Sequence, residues 1–313
     1  MSDTFPPSPL TPDVKHYRDQ RYALVYEGQT LNRIHAGELP IILIPGVPST
    51  ERDFRHLAPR INAWAPVVRV IWPGFGVLHH EVDAPSSTID RAQYLSMIAD
   101  AEGWSAHFVV GHSLGGVAAL AHAALDSRVV GLSLISSVGV RRHRGMVIGS
   151  RGARIHLALF KIPIVRSALR ELCSRLLIQA GFVGHPFHLG QIELILRHVR
   201  DLNFAEQRRL IEMLSQKKSL PIGIVTTEDD PLIDSLASDA LVCALREVSP
   251  HLAHLRLARG GHNPQRHCII EIDQWLRARY SEALAWLDLH PLLSQYSEDK
   301  PQDSPSLLPE EPL

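Results

Sequence analysis

The stretch Gly111-His112-Ser113-Leu114-Gly115 holds a serine between two glycines, where the apolar run Phe108-Val109-Val110 meets a helical pattern over residues 114–125. A Gly-x-Ser-x-Gly pattern in that setting describes a sharp strand-to-helix turn with the serine at its tip. Gly111 and Gly115 are needed because side chains there would collide with neighbouring backbone. The helix aims its first amides at the serine, so an oxyanion formed beside it meets unpaired N–H donors. A serine hydroxyl is a weak nucleophile. It needs an imidazole to take its proton, and the imidazole needs a carboxylate to fix its tautomer. The C-terminal third offers both. Glu228, Asp229 and Asp230 follow the apolar run Ile222-Gly223-Ile224-Val225-Thr226, and His262 stands in the loop Arg259-Gly260-Gly261-His262-Asn263. His254 falls inside a strand pattern and His267 at a helix start, where structural histidines are commoner than reacting ones.

These groups need a scaffold that brings distant loops to one rim. Apolar runs at Ile41 to Ile44, Val67 to Ile71, Phe108 to Val110, Val129 to Ile135, Ile222 to Thr226 and Leu252 to Ala258 alternate with helical spacings at 53–64, 89–101, 114–125, 235–247 and 268–287. This alternation predicts a doubly wound α/β fold with a parallel sheet, whose loops beyond the strands' carboxyl ends converge. Ahead of it, Tyr22 to Tyr26 and Leu31 to His35 read as a β-hairpin. The rhythm breaks after Ser137. Residues 139–220 show no convincing strand, only helix-like runs at 164–179, 189–200 and 204–214, which predicts a helical insertion. The expected organisation is a loose proline-rich arm over 1–18, a core formed by 19–138 and 221–290, the insertion at 139–220, and a disordered, acidic, proline-rich tail at 291–313.

The order Ser, Asp, His, the string Gly-His-Ser-Leu-Gly-Gly, the strand-end Asp230-Pro231-Leu232-Ile233 and the loop Gly261-His262 together resemble the α/β-hydrolase superfamily, in its lid-bearing branch of esterases and carbon–carbon bond hydrolases. The resemblance runs from about Tyr22 to Leu287. It implies a mostly parallel eight-stranded sheet, a helical lid inserted after the sixth strand, and no cofactor. It further implies Ser113 as nucleophile, His262 as general base and acid, and Asp230, through the family's Asp-x-x-Ile pattern, as the orienting carboxylate. The oxyanion hole of that family uses the amide after the nucleophile, here Leu114, and one from the loop after the third strand, here Val47. That loop usually reads His-Gly-x, whereas this chain has Pro45-Gly46-Val47, a change that removes an imidazole but no amide. A serine at the elbow disfavours epoxide hydrolase and haloalkane dehalogenase chemistry, which need a carboxylate nucleophile there.

Composition narrows the partners. The 32 Lys and Arg balance 33 Asp and Glu, so no global field draws in nucleic acid. No apolar run reaches the roughly 18 residues of a membrane span. The three cysteines, Cys173, Cys243 and Cys268, form no Cys-x-x-Cys pair, no signal peptide is evident, and His and Cys show no metal-ligand spacing. A cytoplasmic protein without cofactor or metal is expected. Between 139 and 178, nine Arg and Lys face only Glu171. That stretch reads first as a solvated helical face and second as an anion-seeking surface for an acidic acyl substrate or anionic lipid. The sequence thus points to a serine hydrolase of an ester, thioester or activated carbon–carbon bond in a small or medium acyl substrate. Acyl transfer or lyase chemistry on the same residues is the neighbouring reading, and a non-catalytic ligand-binding protein of this fold the more distant one.

Overall fold

The computed structural model describes residues 12–27, 38–48, 52–81, 84–146, 148–179, 189–217 and 219–290. The expected tail at 291–313 and the strand Leu31 to His35 lie outside them. Eight strands form one sheet: β1 (Asp13–Tyr17), β2 (Gln20–Tyr26), β3 (Ile41–Ile44), β4 (Val67–Ile71), β5 (His107–His112), β6 (Val129–Ile135), β7 (Ile222–Thr227) and β8 (Ala253–Leu257). Their spatial order is β1-β2-β4-β3-β5-β6-β7-β8. The pairings β1–β2 and β2–β4 are antiparallel and the other five parallel. Every residue of β3 to β7 is buried, as expected of strands covered by helices on both faces.

The helices are α1 (Ala58–Ile61), α2 (Thr88–Glu102), α3 (Leu114–Leu125), α4 (Ser150–Leu159), α5 (Pro163–Gln179), α6 (Leu189–Asp201), α7 (Phe204–Leu214), α8 (Ser235–Val248), α9 (Pro264–His267) and α10 (Ile269–Leu289). Helices α2, α3 and α8 pack one face of the sheet through Leu95, Ala118, Leu120 and Leu241, and α1 and α10 pack the other through Ile61, Leu276 and Trp286. Four helices, α4 to α7, lie between β6 and β7. Of these, α6 and α7 place Leu194, Ile195, Leu210, Ile211 and Leu214 in the same apolar cluster as α2 and α3. A smaller cluster of Ala153, Phe160, Cys173, Ile192 and Leu196 joins α4, α5 and α6.

Three expectations need correction. The arm expected over 1–18 ends earlier, because Asp13–Tyr17 is a strand on the sheet edge. It is held from far away: the Glu102 carboxylate, at the end of α2, accepts from Lys15 Nζ at 2.9 Å, Tyr22 Oη at 2.7 Å and Tyr26 Oη at 2.6 Å. The expected hairpin partner of β2 is replaced by β1 and β4, its two antiparallel neighbours. The helix expected over 53–64 shrinks to Ala58–Ile61, since Pro59 carries no N–H and admits only a helix starting beside it. Phe54, Leu57 and Ile61 are nonetheless buried as that spacing implied.

Candidate active site

Ser113 stands between β5 and α3 with φ +53° and ψ −124°, a conformation that L-residues rarely adopt and that the sharp strand-to-helix turn imposes. The glycines around it are fixed by close approach. A Cβ on Gly115 would sit 2.3 Å from the carbonyl oxygen of Pro45 and 2.4 Å from that of Ile44, and one on Gly111 would sit 2.6 Å from Gly116 Cα. The elbow is pinned to its neighbour strand by Ser113 N–H donating to Ile135 O at 3.0 Å.

His262 reaches Ser113 from the loop after β8: Nε2 lies 2.9 Å from Ser113 Oγ, while Nδ1 lies 3.0 Å and 3.2 Å from the two Asp230 oxygens. A carboxylate only accepts, so Nδ1 carries the proton and Nε2 is free to accept the serine's. Of the three acids after β7, only Asp230 faces the imidazole. Asp229 accepts from the amides of Gly260 at 3.2 Å and Gly261 at 2.8 Å, shaping the histidine loop, and Glu228 pairs with Arg256 on the surface. The Asp230 Oδ1 also accepts from Leu232 N–H at 2.8 Å and Ile233 N–H at 2.9 Å. Burial alone would raise this carboxyl, but the bond and charge of His262 with those two amides outweigh it and hold it below the ordinary carboxylate range. The other two histidines weighed from sequence stay apart from the serine: His254 bonds Thr226 Oγ1 at 2.8 Å, and His267 closes α9.

Leu114 is the first residue of α3, so its N–H has no partner within the helix. Val47 stands in the loop after β3, whose Gly46 comes so near the elbow that a Cβ on it would lie 3.0 Å from Ser113 Cβ. With Pro45 in place of histidine, the loop is braced otherwise. Trp72 Nε1 donates to Pro45 O at 2.9 Å and Gly46 N–H donates to Asp53 Oδ2 at 3.2 Å.

Neither His112 nor Asp53 stands out in the sequence as part of the site. Both ring nitrogens of His112 meet acceptors, Asp53 Oδ2 at 3.0 Å from Nδ1 and the carbonyl oxygen of His262 at 2.8 Å from Nε2. Each nitrogen must therefore donate, so His112 is an imidazolium. Burial alone would lower its pKa; the Asp53 charge and hydrogen bond reverse this and raise it. Asp53 accepts from Gln265 Nε2 as well, at 3.2 Å. One carboxylate thus ties together the Gly46 loop, the elbow and the His262 loop. Only the Asp-to-His spacing of 59 positions hides this from the sequence, because neither residue belongs to a local motif. Among the described residues, no cluster of three or more His, Cys, Asp or Glu is placed to hold a metal ion, and no helix is long and apolar enough to cross a membrane.

Solved structures share this architecture at low identity. A membrane phospholipase A described as a bacterial virulence factor is 19% identical over 88% of this chain and 86% of its own, with a TM-score of 0.58. An α/β-hydrolase enzyme from a Medee basin deep-sea metagenome library, MGS-M2, is 14% identical over 86% and 97%, with a TM-score of 0.62. The thioesterase domain of the curacin biosynthetic pathway is 12% identical over 87% and 100%, with a TM-score of 0.59. No curated protein matches the chain in sequence. The model of a family described as alpha/beta hydrolase of unknown function (DUF1057) matches residues 24–259, most of the chain including the Gly46 loop, the elbow and the Asp230 loop but not His262, and the chain belongs to that α/β-hydrolase family.

Proposed function

We propose that the protein is a serine hydrolase that cleaves an ester, thioester or activated carbon–carbon bond of an acyl substrate without a cofactor. The reading rests on the continuous line from Ser113 Oγ through His262 to Asp230, with contacts of 2.9 Å and 3.0 Å. In this mechanism Ser113 Oγ attacks the substrate carbonyl carbon as His262 Nε2 takes its proton. The oxyanion settles between the N–H groups of Leu114 and Val47. Collapse expels the leaving group, which receives the proton from His262, and leaves an acyl ester on Ser113. Water, deprotonated by the same Nε2, then releases the acid and restores the serine. Asp230 holds the Nδ1 proton in place and offsets the imidazolium charge in both halves.

The segment between β6 and β7 supports a pocket roofed by its helices. His143 Nδ1 and Gly145 N–H both donate to Leu232 O, at 2.9 Å and 2.8 Å, which docks the start of that segment against the Asp230 loop.

A fluorophosphonate probe tests the reading directly. Wild type labels on Ser113, and Ser113→Ala does not. His262→Ala lowers ester turnover by roughly six orders of magnitude. Absence of labelling in wild type, or equal labelling of Ser113→Ala, overturns it.

A further inference from the structure

Helix α2 follows the carboxyl end of β4, which runs parallel to β3 and β5, so its N-terminus lies at the rim that carries Ser113. Arg91 stands in the first turn of that helix and is 1% exposed. Its Nε and Nη1 are buried without a hydrogen-bond partner, and its contact is the Trp72 ring, 5.6 Å from the guanidinium carbon to the centroid. No carboxylate among the described residues offsets the charge: burial alone acts on Arg91, lowering it to about 10, which leaves it a cation at neutral pH.

The neighbouring acids are engaged elsewhere or point away. Asp201 bonds Arg200 and Ser86 Oγ, Asp90 is exposed, and the Glu206 carboxyl on α7 is pushed up by burial with no cation to counter it. His198 on α6, which feels Arg91, is driven by burial to about 3 and is neutral. Its Nδ1 donates to Leu194 O, so it brings no negative charge. Holding a buried guanidinium unpaired is unfavourable, and the positive end of the α2 dipole adds to that cost. An arriving anion is attracted by both and offsets the penalty.

The route from Arg91 to the elbow is short in residues. Trp72 lies under the guanidinium and donates to Pro45 O, and Gly46 abuts Ser113.

We propose that Arg91, with the N-terminal end of α2, binds the free carboxylate of a substrate whose scissile acyl carbon lies at Ser113, so that the enzyme selects monoesters or monothioesters of dicarboxylic acids. The assignment rests on the serine hydrolase reading above. Arg91 is a specificity residue in this scheme and takes no part in proton transfer.

The test compares kcat/KM for 4-nitrophenyl butyrate with the mono-4-nitrophenyl esters of succinate, glutarate and adipate, on the full chain and on Arg91→Gln and Arg91→Lys. Wild type favours its best diacid monoester over butyrate by at least about tenfold, and this ratio falls by about 30-fold in Arg91→Gln and less in Arg91→Lys. A wild-type ratio near one, or a ratio unchanged in both variants, overturns the proposal. Binding gives a readout that survives failure of the hydrolase reading. Millimolar glutarate raises the melting temperature of wild type and of Ser113→Ala above that in equal sodium chloride, and Arg91→Gln abolishes the shift. An equal shift with inorganic phosphate, or an equal shift in Arg91→Gln, overturns the carboxylate assignment.

Discussion

Asp53 is a single residue on which three loops converge, and its two oxygens receive three donors: Gly46 N–H and His112 Nδ1 on Oδ2, and Gln265 Nε2 on Oδ1. Asparagine in its place turns an NH2 toward at least one of those donors. Asp53→Asn is expected to lower kcat about tenfold with KM changed little, because the carbonyl of His262 loses its fixed partner while the substrate pocket stays. Steady-state kinetics checks this, and a raised KM with unchanged kcat contradicts it. The pair also has a pH signature. The His112 pKa is raised in the fold above its ordinary 6.5. Its contribution to stability is therefore full below 6.5 and is lost as pH rises through the folded value. Urea titrations across that range show this alkaline loss in wild type and not in Asp53→Asn.

At the scale of elements, the strand–turn–helix of β5 and α3 was legible because one local rule explains each residue: apolar run, glycine, serine, glycine, small-residue helix. Gly115 shows how tightly the rule binds, since what a side chain there would strike is backbone of β3 and its loop. Gly115→Ala is expected to displace the Val47 loop, lowering kcat about a hundredfold and stability by about 3 kcal/mol; ester kinetics and urea denaturation measure the two. Helix α3, strand β6 and helix α7 also begin and end where their patterns do. The elements that escaped the sequence are those whose order comes from elsewhere in the chain. Strand β1 alternates only half-buried and exposed residues after a proline-rich stretch, and its anchor, Glu102, lies 87 positions from Lys15. The turns before α1 carry Asp53 through contacts with residues on β5 and α9 that no local pattern announces.

Across the whole molecule, the end of the sheet opposite Ser113 holds a second buried polar group. His107, which opens β5, and His122 on α3 stack at 4.9 Å with their Nε2 atoms 2.8 Å apart, beside Ser96, Asp126 and Arg128. Burial drives His107 well below its ordinary range and His122 to about 4. Both are neutral in the fold, whereas the unfolded chain protonates them from about 6.5 downward. Their contribution to stability is complete above that pH and is lost as pH falls toward 4. Melting temperature is expected to decline steadily between pH 6.5 and 4, and His122→Gln to flatten that decline.

The two ends of β5 therefore differ in what holds them. The opening of the strand is locked into the core by apolar neighbours and the histidine pair, whereas the residues that arrange Ser113 and His262 depend on a carboxylate carried by turns between β3 and α1. Loss of catalytic geometry and unfolding are then separable in the proposed hydrolase: removing the Asp53 carboxylate frees all three loops at once and is expected to slow turnover while the sheet stays intact.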